Sequence, residues 1–337
     1  MSPHRSGATF LRIAVLVIGL LVIGSAELAA AATIYVNNHY GNDYPGSGAR
    51  RDPYHTIQMG IDASAVGDTI MVARGTYHER ITLKSGVALK GAGADVTTID
   101  GDASGSVVTA IDVDANTSIT GFTITNGTGT YEYEYDEYPD GGGMYCRNAQ
   151  LTVSGCVFYK NIAYTDPDYD EGRGGGIFCA DSSLTITDNC ASGVEYMEST
   201  GGGIWSYSAD VAPTISNCII WRNRPNQIRH YRSSPPAVVR YSNVQLKSGT
   251  YRGPGNINRR PRFVDFNGAD NVLGTADDDL HLRSGSPGID AGDNHALGVT
   301  AVDLDGNPRR VDDPQTPDTG RGKRPNIDMG AYEFQGR

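Results

Sequence analysis

Two stretches of this chain pack tyrosine and acid at a density suited to chemistry. Residues 127–140 include "YEYEYDEYPD", and residues 162–173 read "IAYTDPDYDEGR". Tyr133, Tyr135, Tyr138, Tyr164 and Tyr169 offer flat apolar rings with a polar tip, a surface that can stack on sugars. Glu134, Asp136, Asp166 and Asp168 offer the hard oxygens that Ca²⁺ prefers. A metal shared between such carboxylates and a uronate would acidify the proton beside the substrate carboxylate. A nearby base would then remove it, and Lys160, Arg173 and Arg222 are the candidate bases. Asp277 and Asp279, in "GADNVLGTADDDLHL", form a further candidate Ca²⁺ cluster without EF-hand spacing. The bland alternative for the same residues is a solvated insert and a set of turn-capping aspartates.

The elements that must position these residues follow from a repeat. "GGGMYCRNAQLTVSGCVFYKN" begins at 141, "GGGIFCADSSLTITDNC" at 174 and "GGGIWSYSADVAPTISNCIIWRN" at 201. Each unit runs from a glycine triplet through a short apolar strand and a polar turn to a Thr-rich strand ending at Cys. A repeated unit of this length means stacked supersecondary structure. "LTVS", "LTIT" and "PTIS" alternate with period two, so Leu151, Val153, Leu184, Ile186 and Ile215 should point inward. No helical periodicity separates the triplets, which excludes a βαβ sheet. One such unit cannot bury its own apolar face, but a stack of them can, so the pattern predicts a β-solenoid.

Asn126, Asn161 and Asn223 close three of the strands and predict a stacked asparagine corner. Cys146 and Cys179 fall in one predicted row, and Cys156, Cys190 and Cys218 in a second. Five cysteines cannot all pair internally, and inert buried ladders fit them better than disulfides. "HTIQMGIDASA", with Ile57 and Ile61 four apart, predicts a short amphipathic helix over the first coil. The inserts at 127–140 and 162–173 enter the same corner of successive coils and should lie side by side.

Charge narrows the partner. The chain carries 28 Lys+Arg and 39 Asp+Glu, a formal net charge of −11, which disfavours general nucleic-acid binding. Against that background, residues 211–264 contain no Asp or Glu but hold Arg222, Arg224, Arg229, Arg232, Arg240, Lys247, Arg252, Arg259, Arg260 and Arg262. Such a basic stripe could attract a polyanion, or it could pair with the acidic C-terminal tail. The first 32 residues have Arg5 and Arg12, an apolar run, and small residues near Ala30 to Ala32. They read as a bacterial-type signal peptide, which predicts a secreted or surface-exposed mature chain with no membrane span.

"IYVNNHYGNDYPGSGARRDPYHTIQMGIDASAVGDTIMVARGTYHERI" resembles the opening of secreted right-handed parallel β-helix proteins of the pectate-lyase-like superfamily. The glycine-strand-Thr-Cys units resemble their repeats, and "SPGIDAGDN", "DLDGNPRR" and "IDMGAYEF" resemble a tail common among them. The resemblance implies an all-β right-handed parallel β-helix with a helical N-terminal cap. It divides the chain into a leader at 1–32, the β-helix at 33–262 and a loop-rich C-terminal cap at 263–337. It also implies a monomer that binds an extracellular, acidic polysaccharide and cleaves it, if it is an enzyme, by Ca²⁺-dependent β-elimination. A non-catalytic structural or matrix protein is the alternative, since fold alone does not settle function.

Overall fold

Each polar-turned repeat becomes one coil that gives one short strand to each of three parallel sheets. In the computed structural model, which describes residues 30–41, 46–131, 139–163, 172–187, 190–192, 202–271 and 277–336, these sheets have eight, six and seven strands. One coil shows the rule. Met144–Arg147 lies in the six-stranded sheet, Gln150–Ser154 in the eight-stranded sheet and Val157–Tyr159 in the seven-stranded sheet. Each pairs in parallel with its equivalent one coil on, so Leu151 sits beside Leu184 and Val153 beside Ile186.

Period-two alternation sends Leu151, Val153, Leu184, Ile186 and Ile215 into a common core, as their pattern predicts. The glycine triplets mark close approach between coils. A Cβ on Gly143 would lie 2.6 Å from the Gly176 carbonyl oxygen, and one on Gly176 would lie 2.5 Å from that of Gly203. Any side chain there would push neighbouring coils apart.

Cys146 and Cys179 are register partners and buried free thiols, and Cys156 and Cys218 are buried as well. Desolvation pushes the Cys156 and Cys179 thiols up to about 12, which suits inert packing. The second cysteine row differs from its prediction. Cys190 pairs in register with Val157 and Ile219, one place beyond Cys156 and Cys218. The chain carries one more residue between Ile186 and Cys190 than between Val153 and Cys156, and the register absorbs it.

The asparagine corner is also offset. Thr125 pairs with Tyr159, which sets Asn126 beside Lys160. The left-handed turn residues are therefore Asn126, Lys160 and Arg222, with φ of 59°, 49° and 59°. Asn161 and Asn223 follow one place later and are buried. Asn161 donates from Nδ2 to the Ile124 carbonyl at 2.8 Å and accepts the Gly127 N–H at 3.0 Å, tying two coils together.

The predicted helix is Ile57–Ala63. Its N-cap Thr56 accepts the Met59 N–H at 3.2 Å, and Ile57 and Ile61 are buried against the first coil. The C-terminal region begins with an antiparallel pair, Phe263–Asp265 with Asp279–Leu282. It continues as turns that pack along the outer face of the seven-stranded sheet. There Leu280, Leu282, Ile289, Leu304, Met329 and Tyr332 meet Ala94, Val157 and Ile219. No helix among the described residues is long and apolar enough to cross a membrane. The leader at 1–32 lies almost wholly outside the described residues.

Candidate functional site

The C-terminal region meets the last coils at a cleft of roughly 990 Å³. Its β-helix side is Trp221, Arg222, Gln245, Arg259, Arg260 and Arg262, and its C-terminal side is Phe263, Phe266 and Arg283. Strand Ile219–Trp221 buries Ile219 and Ile220 and leaves Trp221 half-exposed at the cleft wall. Arg222 follows in the left-handed turn, where its backbone N–H donates to Gln245 Oε1 at 2.6 Å. The turn turns its guanidinium toward Phe266, whose ring centroid lies 4.8 Å from Cζ. Phe266 in turn stacks on Phe263, with centroids 5.5 Å apart and planes 11° from parallel.

The remaining arginines are placed by backbone anchors. Asn243, fully buried, donates to the Arg259 carbonyl at 2.7 Å and accepts the Arg259 N–H at 3.2 Å. Arg262 Nη1 donates to the Gly285 carbonyl at 2.9 Å, and Arg283 Nη2 donates to the Val264 carbonyl. Arg222, Arg259, Arg260, Arg262 and Arg283 are all exposed, and none has a carboxylate within ion-pair distance among the described residues. Asp265, also exposed, is a carboxylate at the rim. The tail acids pair elsewhere, with Asp293 on Arg321 and Asp318 on Arg324. Of the two readings of the basic stripe, the geometry at this cleft favours the one that leaves its arginines free for an external anion.

The predicted bases sit in different surroundings. Arg173 is bound through two nitrogens to Asp140, Nε to Oδ1 at 2.8 Å and Nη2 to Oδ2 at 2.7 Å. Its guanidinium also lies 5.3 Å from the Phe178 centroid and 5.0 Å from that of Trp205. Tyr145, Phe178 and Trp205 are stacked register partners on the outer face of the six-stranded sheet, with centroids 5.3 and 5.1 Å apart. Asp140 is almost fully buried. A guanidinium ion-paired and stacked in this way ties Asp140 to the aromatic face of the sheet. Lys160 and Arg222 share equivalent left-handed turns, and only Arg222 lines the cleft.

Tyr133, Tyr135, Tyr138, Tyr164 and Tyr169 lie outside the described residues, as do Glu134, Asp136, Asp166 and Asp168. Asp277 and Asp279 are described and belong to no cluster of three metal-ligating side chains among the described residues. Asp277 Oδ2 accepts the N–H groups of Ala269 and Asp270, which is turn capping. Asp279 Oδ1 meets His281 Nδ1 at 2.6 Å, and Asp305 Oδ2 meets His281 Nε2 at 2.7 Å. Desolvation works against the charged imidazole, but these two hydrogen bonds outweigh it and hold His281 above its usual pKa.

The sequence pattern missed Phe266 and Arg283, because the acid-free stretch that signals the cleft ends at Val264. Both arrive through the antiparallel pairing of Phe263–Asp265 with Asp279–Leu282.

Residues 81–249 match the family model for the right-handed β-helix region. No curated protein matches the chain. Among solved structures, the native GH136 lacto-N-biosidase from Eubacterium ramulus is 10% identical, over 66% of this chain and 54% of its own, with a TM-score of 0.36. This chain thus spans about half the length of that protein. A pectin methylesterase from Aspergillus niger is 17% identical over 66% of this chain and 83% of its own, with a TM-score of 0.28. The pectin methylesterase PemA from Erwinia chrysanthemi is 16% identical over 65% and 72%, with a TM-score of 0.22.

Proposed function

We propose, from the premise that this chain belongs to the right-handed β-helix family, that it is a secreted protein that binds an acidic polysaccharide in the arginine cleft. The observation that carries this reading is the set of five exposed guanidiniums beside the stacked Phe263–Phe266 pair, without ion-paired carboxylates among the described residues. Guanidinium forks match the geometry of a uronate carboxylate or a sulfate, and aromatic rings match the apolar face of a sugar. On a protein of net charge −11, a local basic cleft draws an anionic chain to one place and repels it elsewhere. The cleft volume falls at the upper end of ordinary ligand sites, about 300–1,000 Å³.

The test is binding of the purified protein to a panel of uronate, sulfated and neutral polymers at several salt concentrations. Retention by acidic polymers alone, weakening as salt rises, is the expected result. Equal retention by neutral polymers, or none by any, would remove the reading and leave a structural role. The same samples, with Ca²⁺ and with chelator, report β-elimination through the ultraviolet absorbance of unsaturated uronate. A Ca²⁺-dependent rise would extend the proposal from binding to cleavage.

A further inference from the structure

We infer that the C-terminal region holds a Ca²⁺ ion between Asp290, Asp312 and Asp318, in a site that shares no residue with the arginine cleft. One carboxylate oxygen from each of these residues lies within 4.8 Å of the others, a span that an ion about 2.3–2.6 Å from each oxygen can bridge.

Acidic clusters are common on surfaces, and two further observations separate this one. Asp290 is fully buried, yet its Oδ1 has no hydrogen-bond partner. Asp318 is 12% exposed at its side chain, and its Oδ1 is likewise buried and unpartnered. The second oxygen of each is occupied. Asp290 Oδ2 accepts the Asp313 N–H at 3.1 Å, and Asp318 Oδ2 faces Arg324 Nε at 3.1 Å. The two orphaned oxygens therefore belong to side chains that are otherwise held in place.

An ionised Asp290 leaves one buried carboxylate oxygen without a donor. A cation placed among the three carboxylates would supply the positive partner that such buried oxygens lack.

The backbone presets the site. Residue 290 has a φ of 51°, a left-handed conformation that is uncommon away from glycine. Its carbonyl accepts the N–H groups of Thr319 and Gly320, both at 3.0 Å, and its N–H donates to Asp328 Oδ1 at 2.8 Å. These bonds fix the 312–320 segment against residue 290 before any ion arrives. Asp312 is exposed, so the remaining coordination positions face water. An all-oxygen, carboxylate-rich set with an open side suits Ca²⁺, which tolerates irregular geometry, better than Mg²⁺, which demands a near-ideal octahedron.

The experiment uses the purified full chain, stripped with chelator and titrated with CaCl₂ by calorimetry, with thermal melts in parallel. One binding event and a rise in melting temperature with Ca²⁺ are expected. Asp312→Asn, an exposed change that leaves the fold alone, and Asp318→Asn should each weaken Ca²⁺ affinity by about 10-fold or more, since affinity follows ligand charge. Asp277→Asn should bind as the parent does. No heat and no shift in the parent at millimolar CaCl₂ would overturn the inference. So would affinity unchanged in Asp312→Asn and Asp318→Asn, or affinity lost in Asp277→Asn.

Discussion

Two arginines of this molecule, both candidate bases by sequence and both set against stacked aromatic rings, have opposite fates. Arg173 sits against stacked Phe178 and Trp205 with both ends of its fork held by Asp140. Arg222 sits over stacked Phe263 and Phe266 with no carboxylate in reach among the described residues. The aromatic partner is common to both. The carboxylate decides whether the charge is spent inside the protein or offered to solvent. Arg173 therefore belongs to the stability of the sheet face, whereas Arg222 belongs to a surface that an anion can use.

The strongest way to break this comparison is to remove the carboxylate. Asp140→Ala removes the buried carboxylate of a partly buried pair, and loss of one partner of a buried pair costs up to about 3–5 kcal/mol. The expected outcome is a large fall in the denaturant midpoint. A change within about 0.5 kcal/mol, as at an ordinary surface site, would show that Arg173 is not a structural residue. Trp205→Ala removes the last buried ring of the stack and should cost about 3 kcal/mol by the same measurement, with glycan binding unaffected.

The cleft should respond in the opposite way. Arg259→Ala combined with Arg260→Ala should leave the denaturant midpoint almost unchanged. It should lower affinity for an acidic polymer by roughly 10- to 100-fold, since a hydrogen bond to a charged group contributes about 1.5–3 kcal/mol. Unaltered affinity in that double variant would move the binding surface away from the cleft. Arg222→Ala, which loses one exposed cation–π contact, should cost no more than about 1 kcal/mol in stability.

The two regions also separate with pH. Desolvation, with a neighbouring carboxylate beside each, pushes Glu333 up to about 9 and Asp328 up to about 7, and the opposing pull of buried Arg309 does not offset it. The folded chain then holds protons that the unfolded chain releases above the ordinary carboxylate range. Stability from these groups falls as pH rises from about 4.5 toward 9. His281 acts in the same direction. Its raised pKa gives stability that is complete below its usual 6.5 and is lost as pH climbs through the folded value. Its partial exposure makes that share small. Binding at the cleft rests on arginine, a side chain that keeps its charge in proteins. Denaturant midpoints should therefore decline from mildly acidic to alkaline pH, while affinity for a fully ionised polymer stays level. A midpoint that rises over that range would contradict the buried, protonated carboxyl groups.

Much of the coil was legible in the chain. Period-two strands, glycine triplets and repeated Thr-rich turns have only one efficient way to bury their apolar face, which is to stack. Leu151, Val153, Leu184, Ile186 and Ile215 therefore face inward as their alternation requires. Register was less legible. Counting residues between equivalent strands would have displaced Cys190 from the Cys156 row, and it would have put Asn126 with Lys160 and not with Asn161. Similar residue types at similar distances mask a one-place slip.

The site was legible in its charge and not in its membership. An acid-free basic segment pointed to Arg222, Arg259, Arg260 and Arg262, but nothing local linked these to Phe266 and Arg283. The same limit hid the pairing of Asp140 with Arg173 and the convergence of Asp290 with Asp312 and Asp318. The sequence by itself determined the repeating strand, its inward face and the tight approach of its glycines, because these depend on neighbours along one coil. Only the tertiary structure decided which charges are cancelled and which stay open. Electrostatic pairing depends on distance in space, and the segments concerned are brought together by stacking and by the return of the C-terminal region along the sheet.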